Sequence, residues 1–410
     1  MKKFLALLLS LAMVLALVAC GQKETNPETP ENPDDTTPEI EYKVAMITDY
    51  GDITDQSFNQ TTYEACKAFA EDNGIDFSYF KPAGDNTADR VAMIEKAVDE
   101  GFNVIVMPGY AFGGAIVEAA PEFPDVKFIA LDVAAGDLLE TAVAKAGEAY
   151  DYTPENWDLN KYVDMSNVYC AVYQEELCGY MAGYAAVKLG YKNLGFLGGM
   201  AVPAVVRYGR GFVQGVDAAA AELGLTDVTL NYIYGGQFFG DADITAVMDT
   251  WYQGGTEVVF ACGGGIYTSA VDAAKKVNAK VIGVDVDQAG VIAGYAGVEG
   301  MTVTSAMKGL YPATYDTLTD VIVNGNWDKY VGKIETLGLV SGTDPEANYV
   351  QIPMGDGTQW SDSFTQDDYK AMVKDMYDGK ITVSNNSSSD VTTASFATVV
   401  TVNELGQIKG

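Results

Sequence analysis

The 410-residue chain contains no histidine. That absence removes Ser-His-Asp and Cys-His nucleophile systems, the zinc-binding HExxH motif and the commonest general base. Positive charge is also scarce. The chain has 25 Lys and Arg against 57 Asp and Glu, a formal net charge of −32. Nucleic acid is held largely through Lys and Arg at its phosphates, so this balance argues against it as a partner. It suits a soluble extracytoplasmic protein. Cysteine is sparse, with five residues and no CxxC spacing. Cys66, Cys170, Cys178 and Cys262 sit in apolar settings and read as free core thiols. A Cys170–Cys178 disulfide is the weaker alternative. No long apolar run occurs after the first twenty residues, which leaves no second candidate membrane segment.

The first twenty residues, MKKFLALLLSLAMVLALVAC, place two lysines before one short apolar run that ends at Cys20. This is the pattern of a bacterial lipoprotein signal, with 1–19 as signal peptide and Cys20 as the lipidated residue. A membrane-spanning helix is the competing reading. The run is short for it and no stop-transfer pattern follows. The lipid would tether the chain to the outer face of the cell membrane. Residues 20–41 continue as a linker rich in Pro, Glu, Thr and Asp. It is too polar to offset its conformational entropy by burial, so disorder is expected. Folding is expected from Tyr42.

From there short apolar runs alternate with helical patterns. KVAMITD (43–49), IDFSYFK (75–81), NVIVMPG (103–109), KFIALD (127–132) and NVYCAVY (167–173) read as strands, with amphipathic helices between them. The alternation then restarts with NLGFLGG (193–199), LNYIYGG (230–236), EVVFACGG (257–264) and KVIGVDVD (280–287). MTVTSAMK (301–308) and YVQIPM (349–354) follow. Two rounds of alternating strand and helix imply two α/β lobes with parallel sheets. Ligands of such sheets bind beyond the carboxyl ends of the strands, so chemistry is sought there.

The first strand end reads TDYGDITDQSFNQ. Its aspartates, Asp49, Asp52 and Asp55, are three residues apart, whereas a calcium loop needs oxygen ligands at alternate positions. Asp55 is as well explained as a cap for a helix starting near Ser57. Asp52 reads as a solvated turn residue. Asp49 ends an apolar strand without an obvious packing role and is a candidate ligand contact. VDVDQ (284–288) resembles the Asp-x-Asp of phosphatases but lacks the turn that follows it there. Two carboxylates are better suited to accept hydrogen bonds from a polyol. Ser305–Lys308 fits SxxK without the companion motifs of acylating enzymes. The glycines at 198–199 and 263–265 match no phosphate-loop pattern, and read better as places of close backbone approach. Phe58 and Tyr208, one from each lobe, have the chemistry to clamp a flat ring.

Taken in order, the lipoprotein signal, TDYGDITDQSFNQ, GGMAVPAVVRYGRGF, IGVDVDQAG and VTSAMK resemble the basic membrane protein family. These are substrate-binding lipoproteins of the purine nucleoside receptor type that serve ABC transporters. The resemblance spans nearly all of 42–384. It implies a type I periplasmic-binding-protein fold with two Rossmann-like lobes, three crossovers and a nucleoside closed into the cleft. It implies lobe 1 from 42–173 plus about 304–327 and lobe 2 from 174–303 plus about 328–384. Residues 385–410 would be an extension. Carried over by motif, Phe58 stacks on the base, and Asn59 and Asp132 read its edge. Tyr208 takes the place of a second stacking Phe. Asp285 or Asp287, with Lys308 and Asp49, holds the ribose, and the motif does not separate those two aspartates. Ser57, in TDYGDITDQSFNQ, and Gly264, just past the strand EVVFACGG, are further candidate ligand contacts. The implied partners are a nucleoside, an ABC transporter permease and the membrane through Cys20. A monomer is expected, with no cofactor, no metal and no catalytic activity. Departures from the family pattern are Ala201, CGGGIYTSA (262–270), an insertion at 139–165 and the extension. Alternatives are a binding protein for a nucleobase, sugar or signal, a sensory module, and a nucleoside hydrolase using the Asp cluster.

Overall fold

β1 (Lys43–Ile47) reads KVAMI, and its burial explains the architecture. Val44 and Met46 pack on one face with Cys66 and Phe69, while Ala45 and Ile47 pack on the other with Ile105, Met107 and Phe112. A strand covered on both faces shows as a continuous apolar run, because neighbouring side chains point in opposite directions. The computed structural model describes residues 41–409. Cys20 and the expected signal and linker therefore lie outside the described residues, apart from Glu41.

The remaining strands are β2 (Asp76–Phe80), β3 (Val104–Pro108), β4 (Lys127–Leu131), β5 (Val168–Tyr173), β6 (Asn193–Gly198) and β7 (Thr229–Tyr234). They continue as β8 (Val258–Cys262), β9 (Lys280–Asp285), β10 (Thr302–Lys308), β11 (Ile334–Leu337), β12 (Val350–Gln351) and β13 (Thr401–Gln407). One sheet has the order β11-β5-β4-β3-β1-β2, and the other β12-β10-β9-β8-β6-β7-β13. All pairings are parallel except β10 with β12. The shared core of the two orders, 2-1-3-4-5 and 7-6-8-9-10, is the same doubly wound arrangement twice. It places a switch point between β1 and β3 and another between β6 and β8, where ligand clefts form.

The chain passes between sheets three times: after β5, after β10 and after β11. This corrects two boundaries. Residues 304–308 belong to the second lobe, since β10 lies between β9 and β12. Residues 334–337 belong to the first lobe, since β11 pairs with β5. The extension is also not an appendage. β13 adds a parallel strand to β7 at the edge of the second sheet. The four described cysteines are buried and unbridged. Among the described residues no helix is long and apolar enough to cross a membrane.

Candidate functional site

A cavity of about 470 Å³ lies between the lobes, walled by the loops at the carboxyl ends of strands from both sheets. Its first-lobe wall includes Asp49, Phe58, Asn59, Tyr110, Asp132 and Asp137. Its second-lobe wall includes Arg207, Tyr208, Phe238, Phe239, Gly264, Asp285 and Lys308.

The first wall is built by local hydrogen bonding. Asp49 Oδ1 accepts from the backbone N–H groups of Tyr50 and Gly51 at 2.6 Å and from Asn59 Nδ2 at 3.1 Å. Asp55 accepts from the N–H groups of Asn59 and Gln60 and from Asn59 Nδ2, at 3.0, 3.1 and 3.0 Å. It thus caps the helix Phe58–Asn73, whose first N–H groups have no partner within the helix. Asn59 is held between the two carboxylates. Burial pushes both carboxyls up, against the hydrogen bonds they receive. Asp52 is exposed on the rim and pairs with Lys81 at 2.9 Å.

Lys308, at the end of β10, is the centre of the site and only 5% exposed. Its Nζ donates to Asp132 and lies 3.6 Å from Glu175 Oε1 and 3.8 Å from Asp285 Oδ1. It also sits over the rings of Phe58, Tyr173 and Tyr208, 4.6, 5.3 and 5.6 Å from their centroids. Burial alone would lower the Lys308 pKa, but the three carboxylates outweigh it and hold the ammonium charged. Burial pushes the Asp132 carboxyl up to about 6, opposed by Lys308. Burial also raises Glu175, yet Arg207 and Lys308 together bring it below the ordinary value. Arg207 Nε donates to Glu175 Oε2 at 2.7 Å.

Asp132 and Asp285 occupy matching places, each at the end of the fourth strand of its round. Both have left-handed backbones, with φ of 61° and 65°. Such conformations are uncommon outside glycine, least so for Asp and Asn, and recur at binding sites. At Asp285 the Val286 N–H bonds the Val284 carbonyl at 2.7 Å, closing a three-residue turn. The turn aims the Asp285 carboxylate at Ser57 Oγ (2.5 Å) and Tyr208 Oη (3.2 Å). Ser57 belongs to the first lobe, so this bond crosses the cleft. The Lys308–Asp132 bond crosses it too, as does the bond from Gln288 Nε2 to the Gln56 carbonyl at 3.1 Å. The lobes are thus in a closed arrangement.

The structure separates the two aspartates that the motif left together. Asp285 lines the cavity. Asp287 is exposed and away from it, with its Oδ1 accepting the Ala289 N–H at 3.0 Å. Ser57 is fully buried and reaches the site only through Asp285. The expected clamp rings both reach the cavity, but Tyr208 is almost wholly buried and tied by its hydroxyl, and Lys308 stands between the two.

A profile of the family described as Bmp, ABC transporter substrate-binding protein PnrA-like, matches residues 42–343. The chain belongs to this family. The ABC transporter nucleoside-binding protein BmpA of Lactococcus lactis is 26% identical over 293 residues, 68% of this chain and 72% of that protein. An uncharacterized lipoprotein of Pyrococcus abyssi is 25% identical over 311 residues, covering 72% of this chain and 67% of that one. In fold, the chain is similar to a crystal structure of an ABC transporter solute-binding protein from Aeropyrum pernix. The TM-score is 0.59, with 20% identity, over 83% of this chain and 87% of that one. The fold is that of periplasmic binding proteins, and the Bmp chain is an ABC transporter substrate-binding protein.

Several wall residues of this Bmp protein escaped the sequence reading. Tyr110 follows β3 and Arg207 lies in the helix Pro203–Glu222 after β6, but neither stands out by residue type. Phe238 and Phe239 follow β7 in GGQFFGD, and an aromatic pair after a strand-ending Gly-Gly was the available signal. The glycine clusters seat Phe238. A Cβ added at Gly199 or Gly263 would lie 2.4 or 2.7 Å from Phe238 Cδ1, so both places require close approach. The 139–165 insertion does not line the cavity. It doubles back along the helix Ala135–Lys145 and brings Tyr150 against Gly136, beside the rim.

Next to that contact, Asp137 lines the cavity, and burial pushes its carboxyl from 3.8 up to about 7. A raised carboxyl pKa contributes stability that is complete below the unfolded value and is lost as pH rises through the folded one. Asp137→Asn is therefore expected to gain stability relative to the parent as pH rises from 4 to 8, by about 4 kcal/mol. Thermal midpoints across that range check it, and a pH-independent difference would refute it.

Proposed function

We propose that this Bmp protein is a lipid-anchored extracytoplasmic receptor that closes on a purine nucleoside and delivers it to an ABC permease. The observation that carries the reading is the interlobe cavity in which Phe58 and Tyr208 flank Lys308, with Asp132 and Asp285 converging from opposite lobes. Its volume falls in the range of small-molecule sites. The partly exposed ring of Phe58 suits a base, and ionised carboxylates suit its N–H groups and the ribose hydroxyls. Asp132 Oδ1 is buried and has no hydrogen-bond partner among the described residues, which makes it an acceptor ready for a ligand. A ligand touching both lobes binds the closed state better than the open one, which is all that hinge closure needs. The nucleoside-binding relative supports the ligand class, and relatives named lipoproteins support anchoring at Cys20.

Charge sharpens the reading. Six carboxylates line the cavity (Asp49, Asp52, Asp55, Asp132, Asp137 and Asp285) against three cations, Lys81, Arg207 and Lys308. A phosphorylated ligand would meet net repulsion, and an uncharged nucleoside would not.

The test is mass spectrometry of ligand released from the purified, denatured protein, followed by calorimetry with nucleosides, free bases, ribose and nucleoside 5′-monophosphates. A purine nucleoside is expected to bind, and its monophosphate to bind at least about 100-fold more weakly. Phe58→Ala and Asp132→Ala are each expected to weaken binding by at least about tenfold. Release of no nucleoside together with no nucleoside-induced thermal shift would overturn the proposal. Turnover of inosine would replace it with a hydrolase.

A further inference from the structure

The C-terminal segment lies beyond the matched family region, yet it is tied to the cavity wall. After the helix Gln366–Tyr377 it crosses the second lobe, held at two buried charges. The Arg210 guanidinium donates to the carbonyls of Asn386, Ser388 and Val391 at 2.8, 2.9 and 2.5 Å. Asp217 accepts from the N–H groups of Thr398, Val399 and Val400 at 2.8, 2.8 and 3.0 Å. These anchors deliver β13 to the edge of β7.

The segment does not stop at the strand. The Ile408 N–H bonds the Tyr234 carbonyl at 2.8 Å, at the end of β7. The Lys409 carbonyl lies so close to Gly236 that a Cβ there would be 2.5 Å away. Lys409 Nζ is paired with Asp241 and lies 3.6 Å from Asp243. Tyr234 and Asp241 bracket the irregular loop that carries Phe238 and Phe239 into the cavity.

Asp241 is the junction. Its Oδ1 caps the helix Ala242–Gln253 through the Ile244 N–H at 3.0 Å. Its Oδ2 accepts from Gln237 Nε2 at 2.8 Å, and the same amide donates to the Phe239 carbonyl at 3.0 Å. Lys409 therefore grips the carboxylate that grips the loop.

We infer that residues 385–409 act as a brace for the aromatic wall, with Lys409 and Asp241 as positioning residues for Phe238 and Phe239. The brace presets the loop for the ligand, so its loss lowers affinity without unfolding the lobe. The inference rests on the cavity being the nucleoside site. Its structural half is measurable without ligand.

The experiment uses the full chain with Lys409→Met and Lys409→Arg. Three quantities are read: amide exchange of 234–241 in the ligand-free protein, calorimetric nucleoside affinity, and the thermal midpoint. Lys409→Met is expected to speed exchange in the loop by about threefold to fivefold and to weaken affinity by about twofold to fivefold. Its midpoint should stay within about 2 °C of the parent. Lys409→Arg should restore exchange and affinity to within about twofold. Unchanged loop exchange in Lys409→Met would overturn the brace. So would a parallel fall in midpoint with faster exchange throughout the lobe, which would mark a merely structural role. Should the unaltered protein bind no nucleoside, the proposed function fails, while loop exchange still decides the brace.

Discussion

Lys308→Met is expected to lower the stability of the ligand-free protein by about 3–5 kcal/mol and, on the proposed function, to abolish tight nucleoside binding. Methionine keeps most of the length and the packing against Phe58, Tyr173 and Tyr208, so the change isolates the charge. The ammonium is the shared cation of Asp132, Glu175 and Asp285. Arg207 still serves Glu175, but among the described residues no second cation pairs with Asp132 or Asp285. Removing one member of a buried ionic cluster leaves the others desolvated and uncompensated, which costs far more than an exposed pair is worth. The variant has an escape: Asp132 can take up a proton. Its carboxyl already titrates at about 6 with Lys308 beside it, and higher without it. The deficit should therefore shrink as pH falls from 8 towards 5. Urea denaturation at both pH values checks this. A loss under about 1 kcal/mol at pH 8 would show that the cluster is not held by Lys308.

The central strands of both sheets were legible in the sequence for one physical reason. β1, β3, β4, β8 and β9 are covered on both faces, so each had to be a continuous apolar run, and the two rounds of α/β pattern followed. The parts that were not legible are edges. β11 and β13 each pair on one side only within their sheets, and their burial is mixed or nearly absent. An edge strand can be half exposed and needs no apolar run. Hence the sequence pattern puts 334–337 in the wrong lobe and does not show the extension joining a sheet. At the site, Asp49, Phe58, Asn59, Asp132, Tyr208, Gly264, Asp285 and Lys308 all line one cavity. Glu175 was missed because its position depends on two packed helices. Gly179 lies against the Tyr208 carbonyl and Gly211 against that of Glu176, with added Cβ atoms at 2.3 and 2.1 Å. That close crossing carries Arg207 to Glu175, and a spacing along the chain does not show it.

On the proposed function, Asp285→Asn is expected to weaken nucleoside binding by at least about 50-fold, whereas Asp287→Asn should leave it within about twofold. In VDVDQ the two residues are two apart, and a strand that continued would point both to one face. The strand ends at Asp285 instead, and the left-handed turn centred there breaks the period. One carboxylate then faces the cavity while the other faces solvent and receives the Ala289 N–H. Asparagine tolerates that backbone about as well as aspartate, so substitution at 285 tests charge without adding strain. It removes the charged acceptor shared by Ser57 Oγ and Tyr208 Oη, and it sets an amide N–H₂ where a ribose hydroxyl would donate. It also leaves Lys308 with one carboxylate fewer across the cleft. The loss should therefore appear both in affinity and in the closing equilibrium, read by scattering with and without ligand. Equal effects at 285 and 287 would mean that the ligand enters a differently shaped cleft. A large effect at 287 alone would reverse the assignment.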